Sequence, residues 1–183
     1  MDQQQVAQYQ TELENFRRMK DEFYASDPQS PFSKKQKSAF KGLHYFPPNL
    51  ALRLELKLEP FPEYVEVELQ TSTGDVQHFQ RHGKIQFTVD GQPAQLTVYS
   101  NEHGLFLPFV DSLAGTETYP AGRYLEPQAL DDGQLLVDFN LAYNPYCAYS
   151  PHWSCPLTPF ENRLKLPIRA GEMLPDPAWG APE

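Results

Sequence analysis

Cysteine is scarce. Cys147 and Cys155 are the two in 183 residues, too few for a disulfide framework. Long apolar runs are missing as well. The longest lies near residues 105–110, far short of the roughly 20 residues that cross a bilayer as a helix. Positive charge is in deficit: 15 Lys and Arg face 24 Asp and Glu, a net charge of −9. That balance argues against nucleic acid and anionic membrane as partners, since both reward basic surface. No glycine-rich phosphate loop, dinucleotide fingerprint, paired-histidine zinc helix or nucleophile elbow occurs, so chemistry built on those frameworks is not expected. The start, Met1-Asp2-Gln3-Gln4-Gln5, has neither the charge nor the apolar stretch of a secretory signal. The expectation is a soluble, cytoplasmic protein whose cysteines remain thiols. Its cofactor, if it has one, cannot be named from the sequence.

What the sequence does contain is one core's worth of apolar residues, 40% of the chain, and 18 prolines, about twice the usual ~5% share. The prolines follow no repeat and read as turn and edge markers. Val6, Tyr9, Leu13, Phe16, Met19 and Phe23 recur at three- and four-residue steps, the stripe of an amphipathic helix. Asp27-Pro28 should end it. A second short helix is expected over 31–41, where Ser33 and Gln36 have capping-box spacing.

From residue 50 the period changes to two. Leucines at 50, 52, 54, 56 and 58, then Val65, Val67 and Leu69, alternate with polar residues as half-buried strands do. A weak strand is expected through Phe79 and another at Ile85, Phe87 and Val89. Asp90-Gly91 marks a tight hairpin, returning through Ala94, Leu96 and Val98 and on to 105–110. Further strands are expected at 123–125, 135–143 and 163–170. With no helical pattern between them, the sheet should be mainly antiparallel. The predicted fold is mainly β, a barrel or sandwich with an N-terminal amphipathic helix. Residues 1–42 would be a helical segment packed on the barrel, 43–172 the β domain and 173–183 a frayed tail.

The 109–172 stretch is the most distinctive. It carries Gly122-Arg123-Tyr124-Leu125, Asp138-Phe139-Asn140, Ala142-Tyr143-Asn144-Pro145-Tyr146-Cys147, Cys155-Pro156, Glu161-Asn162-Arg163-Leu164 and Ala170-Gly171-Glu172. Together these motifs closely resemble the uncharacterised bacterial domain-of-unknown-function family 1684. The resemblance implies a shared fold and a shared site, but no activity. One departure is Leu113-Ala114-Gly115, where the family carries Thr-Ser-Gly; a hydroxyl nucleophile is not expected in that loop.

The residues themselves suggest a site around the 135–143 strand. Strict alternation would put Asp138 and Asn140 on one face, roughly 7 Å apart. If that face lines an interior, the carboxylate needs a partner; Arg123 could grip Asp138 or Glu117 with its planar fork. Arg123, Tyr124, Asp138, Asn140, Tyr143 and Asn144 are therefore the candidate small-molecule pocket. Asp138 and Glu161 are candidate general acids or bases, with Arg123 stabilising negative charge. The alternative is a structural or interaction module in which the same residues only lock loops. A third option is a metal site built on Cys147, His152 and Cys155. A homo-oligomer is left open.

Overall fold

The switch from helical to two-residue periodicity is also the switch of architecture. In the computed structural model, which describes residues 1–177, helix α1 runs Gln3–Ser26 and helix α2 runs Lys34–Ala39. Both open on capping boxes. At α1 the Asp2 carboxylate accepts the Gln5 N–H at 2.9 Å while the Gln5 side chain accepts the Asp2 N–H at 2.8 Å. Asp27, held extended ahead of Pro28, ends α1 as expected. The second helix is shorter than 31–41, but its Ser33–Gln36 box forms. None of the described helices is long and apolar enough to cross a membrane.

Among the described residues, eight strands form two antiparallel sheets. One has three strands in the order β1 (Arg53–Lys57), β8 (Gln134–Asp138), β7 (Gln128–Ala129). The other runs β2 (Glu59–Gln70), β3 (Val76–Val89), β4 (Gln92–Asn101), β5 (Gly104–Phe109), β6 (Arg123–Leu125). β2 is thus an edge strand, with β3 its only strand neighbour among the described residues. The sheets do not close into a barrel; they form a sandwich. Closure would need β6 to pair with the three-stranded sheet. Instead Tyr124 on β6 exchanges both backbone hydrogen bonds with Tyr143, at 2.8 and 3.0 Å.

The core lies between the sheets. Leu52, Leu135 and Val137 meet Ile85, Phe87, Leu96, Val98, Leu107 and Phe109, all 8% exposed or less. The Asp90-Gly91 hairpin is present, with φ of 49° and 77°, the left-handed pair that matches strand twist. Three expectations are corrected. The strands through Phe79 and from Ile85 are one strand, β3, bulged between Arg81 and Gly83. A Cβ on Gly83 would come within 2.7 Å of the Glu59 carbonyl oxygen and the Leu58 side chain, so glycine is what lets β1 and β2 close on this bend. The 135–143 strand stops at Asp138 and becomes a 3₁₀ turn, Phe139–Leu141. The 163–170 segment joins neither sheet; it buries Leu166, Ile168 and Ala170 on one side while remaining irregular. Of the expected frayed tail, 178–183 lie outside the described residues. Met173 and Leu174 are held in place: their N–H groups donate to the carbonyls of His44 and Glu117 at 2.8 and 2.9 Å.

Candidate functional site

Between Ile168 and Glu172 the chain folds tightly: the Ala170 N–H donates back to Ile168 O at 3.0 Å and Gly171 takes a φ of 75°. That bend turns the Ile168, Ala170 and Glu172 carbonyls toward the Arg123 guanidinium. Its Nη1 donates to Ala170 O at 2.5 Å and Glu172 O at 2.9 Å; its Nη2 donates to Ile168 O at 2.8 Å. Its carboxylate partner is Asp111, at 3.4 Å. Asp111 also accepts the Ile168 N–H at 2.8 Å and the Thr118 hydroxyl at 2.6 Å. Arg123 is 1% exposed. Burial pulls its pKa down to about 10 against the opposing pull of Asp111 and Glu172, so it stays a cation at neutral pH. Glu117 pairs elsewhere, with Arg169 at 2.7 Å.

Asp138 belongs to a second cluster. Its Oδ1 accepts the Asn140 N–H at 3.0 Å and the Asn140 amide at 2.9 Å, the local cap that turns the chain out of β8. Its Oδ2 accepts the Tyr9 hydroxyl at 2.7 Å and lies 3.6 Å from Arg53 Nε. Burial, reinforced by the bond to Asp138, pushes the Tyr9 phenol well above its usual pKa, so it remains a donor. The Asn140 side chain in turn exchanges two hydrogen bonds with the Asn49 backbone, at 2.7 and 2.8 Å. Glu161 stands apart, beside β3 and β4, accepting from the Tyr99 hydroxyl at 2.6 Å and pairing with Arg81 at 3.1 Å.

A third cluster centres on Glu172, also 1% exposed. Its Oε2 accepts the Asn144 N–H at 2.7 Å and the Tyr149 hydroxyl at 3.2 Å, while Lys20 of α1 reaches Oε1 at 2.6 Å. The Asn144 amide donates to Met173 O at 2.8 Å and to the Tyr149 hydroxyl oxygen at 3.2 Å. The six expected pocket residues therefore do not gather. Arg123, Asp138, Asn140 and Asn144 fall into three buried networks, each making several hydrogen bonds within the protein.

Tyr143 and the largely buried Tyr124 lie elsewhere. They line a cleft of about 670 Å³ between α1 and the 143–156 loops. One wall is Phe16, Met19, Lys20 and Phe23; the other is Tyr143, Tyr146 and Trp153, with Tyr124, Cys155 and Pro156 beneath. Tyr146 meets Trp153 edge-on at 4.9 Å, and Tyr124 meets Tyr143 at 5.9 Å. The Tyr143 hydroxyl is tied to Glu126 at 2.8 Å and that of Tyr124 to the Pro156 carbonyl. The Lys20 ammonium lies 4.7 Å from the Tyr143 ring centre, its charge met by Glu172.

The cysteines meet as free thiols below this cleft: the Cys147 N–H donates to Cys155 Sγ at 3.3 Å. His152 is exposed on the surface. Among the described residues no three His, Cys, Asp or Glu side chains converge as a metal's ligands.

The sequence places Phe16, Met19 and Phe23 on the apolar stripe of an amphipathic helix and does not single out Lys20, Trp153 or Glu172 for the site. A signal for the first three was present. The stripe from Val6 to Phe23 takes five steps over 17 residues, a shorter mean step than the 3.6-residue turn, so it drifts roughly a quarter turn around the helix. Its first half, Tyr9 and Leu13, is buried, whereas Phe16 and Met19 are 44% and 62% exposed.

Among curated proteins nothing matches this sequence. Of the solved structures, the solution NMR structure of an uncharacterised protein from Haloarcula marismortui is similar over 94% of this chain and 97% of its own, with a TM-score of 0.70 and 34% identity. Residues 38–173 match the family model described as protein of unknown function, DUF1684, a span holding Arg123, Asp138, Glu172 and both cysteines but not Tyr9 or Lys20 of α1. By that match the chain belongs to the DUF1684 family.

Proposed function

We propose that this domain binds a small, uncharged, ring-bearing molecule in the cleft between α1 and the 143–156 loops. The observation that carries this is the lining: aromatic rings from both walls surround about 670 Å³, within the ~300–1,000 Å³ of small-molecule sites. Phe16, Met19 and Trp153 expose apolar surface at the rim that a ligand would remove from water. The one cation, Lys20, is already neutralised by Glu172, so a charged group on the ligand has no counterpart to meet. The larger hollow of about 760 Å³ over β2, β3 and β4 is lined by Glu66, Gln77, His78, Gln80, Glu102 and His103, polar side chains that favour water over an apolar guest. In this proposal Tyr124 and Tyr143 touch the ligand. Arg123, Asp138, Asn140 and Asn144 hold the walls, and neither Asp138 nor Glu161 serves as an acid or base.

Indole and naphthol are suitable probes, read by backbone amide shifts in NMR titrations. Saturable shifts should cluster on 16–24 and 143–156, and Trp153→Ala should weaken binding about tenfold, the effect of losing about 1.4 kcal/mol. Shifts confined to the β2–β4 hollow, no saturation, or undiminished binding by Trp153→Ala would overturn the assignment.

A further inference from the structure

We infer that Cys147 and Cys155 form a redox-active dithiol site, with Cys147 the attacking sulfur and Cys155 the resolving one, whose substrates are low-molecular-weight disulfides. This rests on the cysteine geometry and not on the cleft's ligand.

The placement comes first. Cys155 Sγ lies 3.3 Å from the Cys147 backbone nitrogen, so the two side chains occupy the same few ångströms, close enough for a disulfide to form without large backbone movement. The loop that a bond would close is pinned from both sides. Ser72 exchanges backbone and side-chain hydrogen bonds with Cys155, at 2.9 and 3.1 Å. Ser154 Oγ donates to Thr71 at 2.8 Å, and Ser150 N–H donates to Tyr146 O at 3.1 Å.

Exposure divides the labour. Cys147 is partly open to solvent away from the cleft, while Cys155, at the cleft floor, is 8% exposed, so an incoming disulfide meets Cys147 and the mixed disulfide is then met by Cys155. The surroundings are those of a reactive sulfur. A buried structural thiol sits among apolar groups, whereas Cys147 has the Cys155 thiol and the Tyr119 hydroxyl within hydrogen-bonding reach. These stabilise a thiolate: the Cys147 pKa falls to about 7, led by the hydrogen bond from Cys155, and Cys155 is driven up as it keeps the shared proton. A thiol with pKa near ambient pH is well placed for exchange.

The steps balance. The Cys147 thiolate attacks one sulfur of RSSR; the S–S bond breaks, RS⁻ leaves and a Cys147–SR mixed disulfide forms. The Cys155 sulfur then attacks Cys147 Sγ and expels the second RS⁻, which takes up the Cys155 proton. The protein dithiol is oxidised to one disulfide and RSSR is reduced to two thiols.

Whole protein equilibrated in glutathione and glutathione disulfide mixtures tests this, followed by acid quench, alkylation and intact mass. The expected product is one intramolecular disulfide per chain at glutathione disulfide excess, reversed by dithiothreitol. Cys155→Ser should instead retain a glutathione adduct on Cys147. In Cys155→Ala, where no donor replaces the thiol, alkylation of Cys147 by iodoacetamide at pH 7 should be several-fold slower than in wild type. Two thiols still alkylated across the whole redox range, or a wild-type adduct that never closes, overturns the inference. The wild-type titration alone decides it if the variant does not fold.

Discussion

Arg123→Ala is expected to lower folding stability by about 4 kcal/mol, within the range measured when one member of a buried ion pair is removed. For a chain of this length that corresponds to a fall in Tm of roughly 10 °C. The size follows from what is left behind. Asp111 loses its counter-ion at 3.4 Å in a site that water does not reach, the Ala170 and Glu172 carbonyls lose the guanidinium as donor, and Ile168 O keeps the Ala170 N–H alone. Those three oxygens belong to a segment outside both sheets, so no neighbouring strand takes the place of the guanidinium. Arg123→Lys should recover part of the loss, since an ammonium keeps the charge but cannot span three carbonyls and a carboxylate with one planar fork. Urea unfolding and thermal melts of wild type and both variants measure the effect. A Tm for Arg123→Ala within roughly 2 °C of wild type would mean that the residue is free to serve a ligand.

Glu172→Ala is expected to cost about 3 kcal/mol, again as a buried pair broken on one side, with some relief because Lys20 is partly exposed. The Asn144 N–H and the Tyr149 hydroxyl lose their acceptor in the interior. The second consequence is local. Glu172 ties α1, through Lys20, to the loop that carries Asn144 and Tyr149, and so joins the two walls of the cleft. The variant should therefore be cut by protease in α1 at concentrations that spare wild type, and should lose probe binding. Glu172→Gln keeps an acceptor and should lose less of both. Equal protease resistance in wild type and Glu172→Ala would show that the helix is held by its aromatic contacts alone.

How far the letters predict the structure depends on whether side-chain periodicity and backbone pairing agree. At Asp90-Gly91 they do, because the turn needs two left-handed residues and the dipeptide supplies them. At 135–143 they part. The apolar residues go on alternating past Asp138, but its carboxylate captures the Asn140 N–H and the chain turns, leaving Leu141 37% exposed between buried Asn140 and Ala142. At 163–170 alternation reports burial correctly and pairing wrongly: Leu166, Ile168 and Ala170 point inward, yet their backbone is served by Arg123, Asp111 and the 110–112 segment. A sequence shows that Arg123 needs a carboxylate. Choosing Asp111 over Asp138 or Glu117 takes the packing of β6 against the 168–172 segment, which no local pattern encodes. The cleft is harder still, since its walls are some 130 residues apart in the chain and each half looks like ordinary core.

The free edge of β2 has a consequence for how copies of this chain meet. An unpaired strand edge invites another strand to add to it, the first step toward fibrils. Here Pro60 and Pro62 withhold two backbone donors, while exposed Glu59, Glu63, Glu66 and Glu68 confront any second β2 with like charge. That repulsion keeps the sheet from growing between molecules.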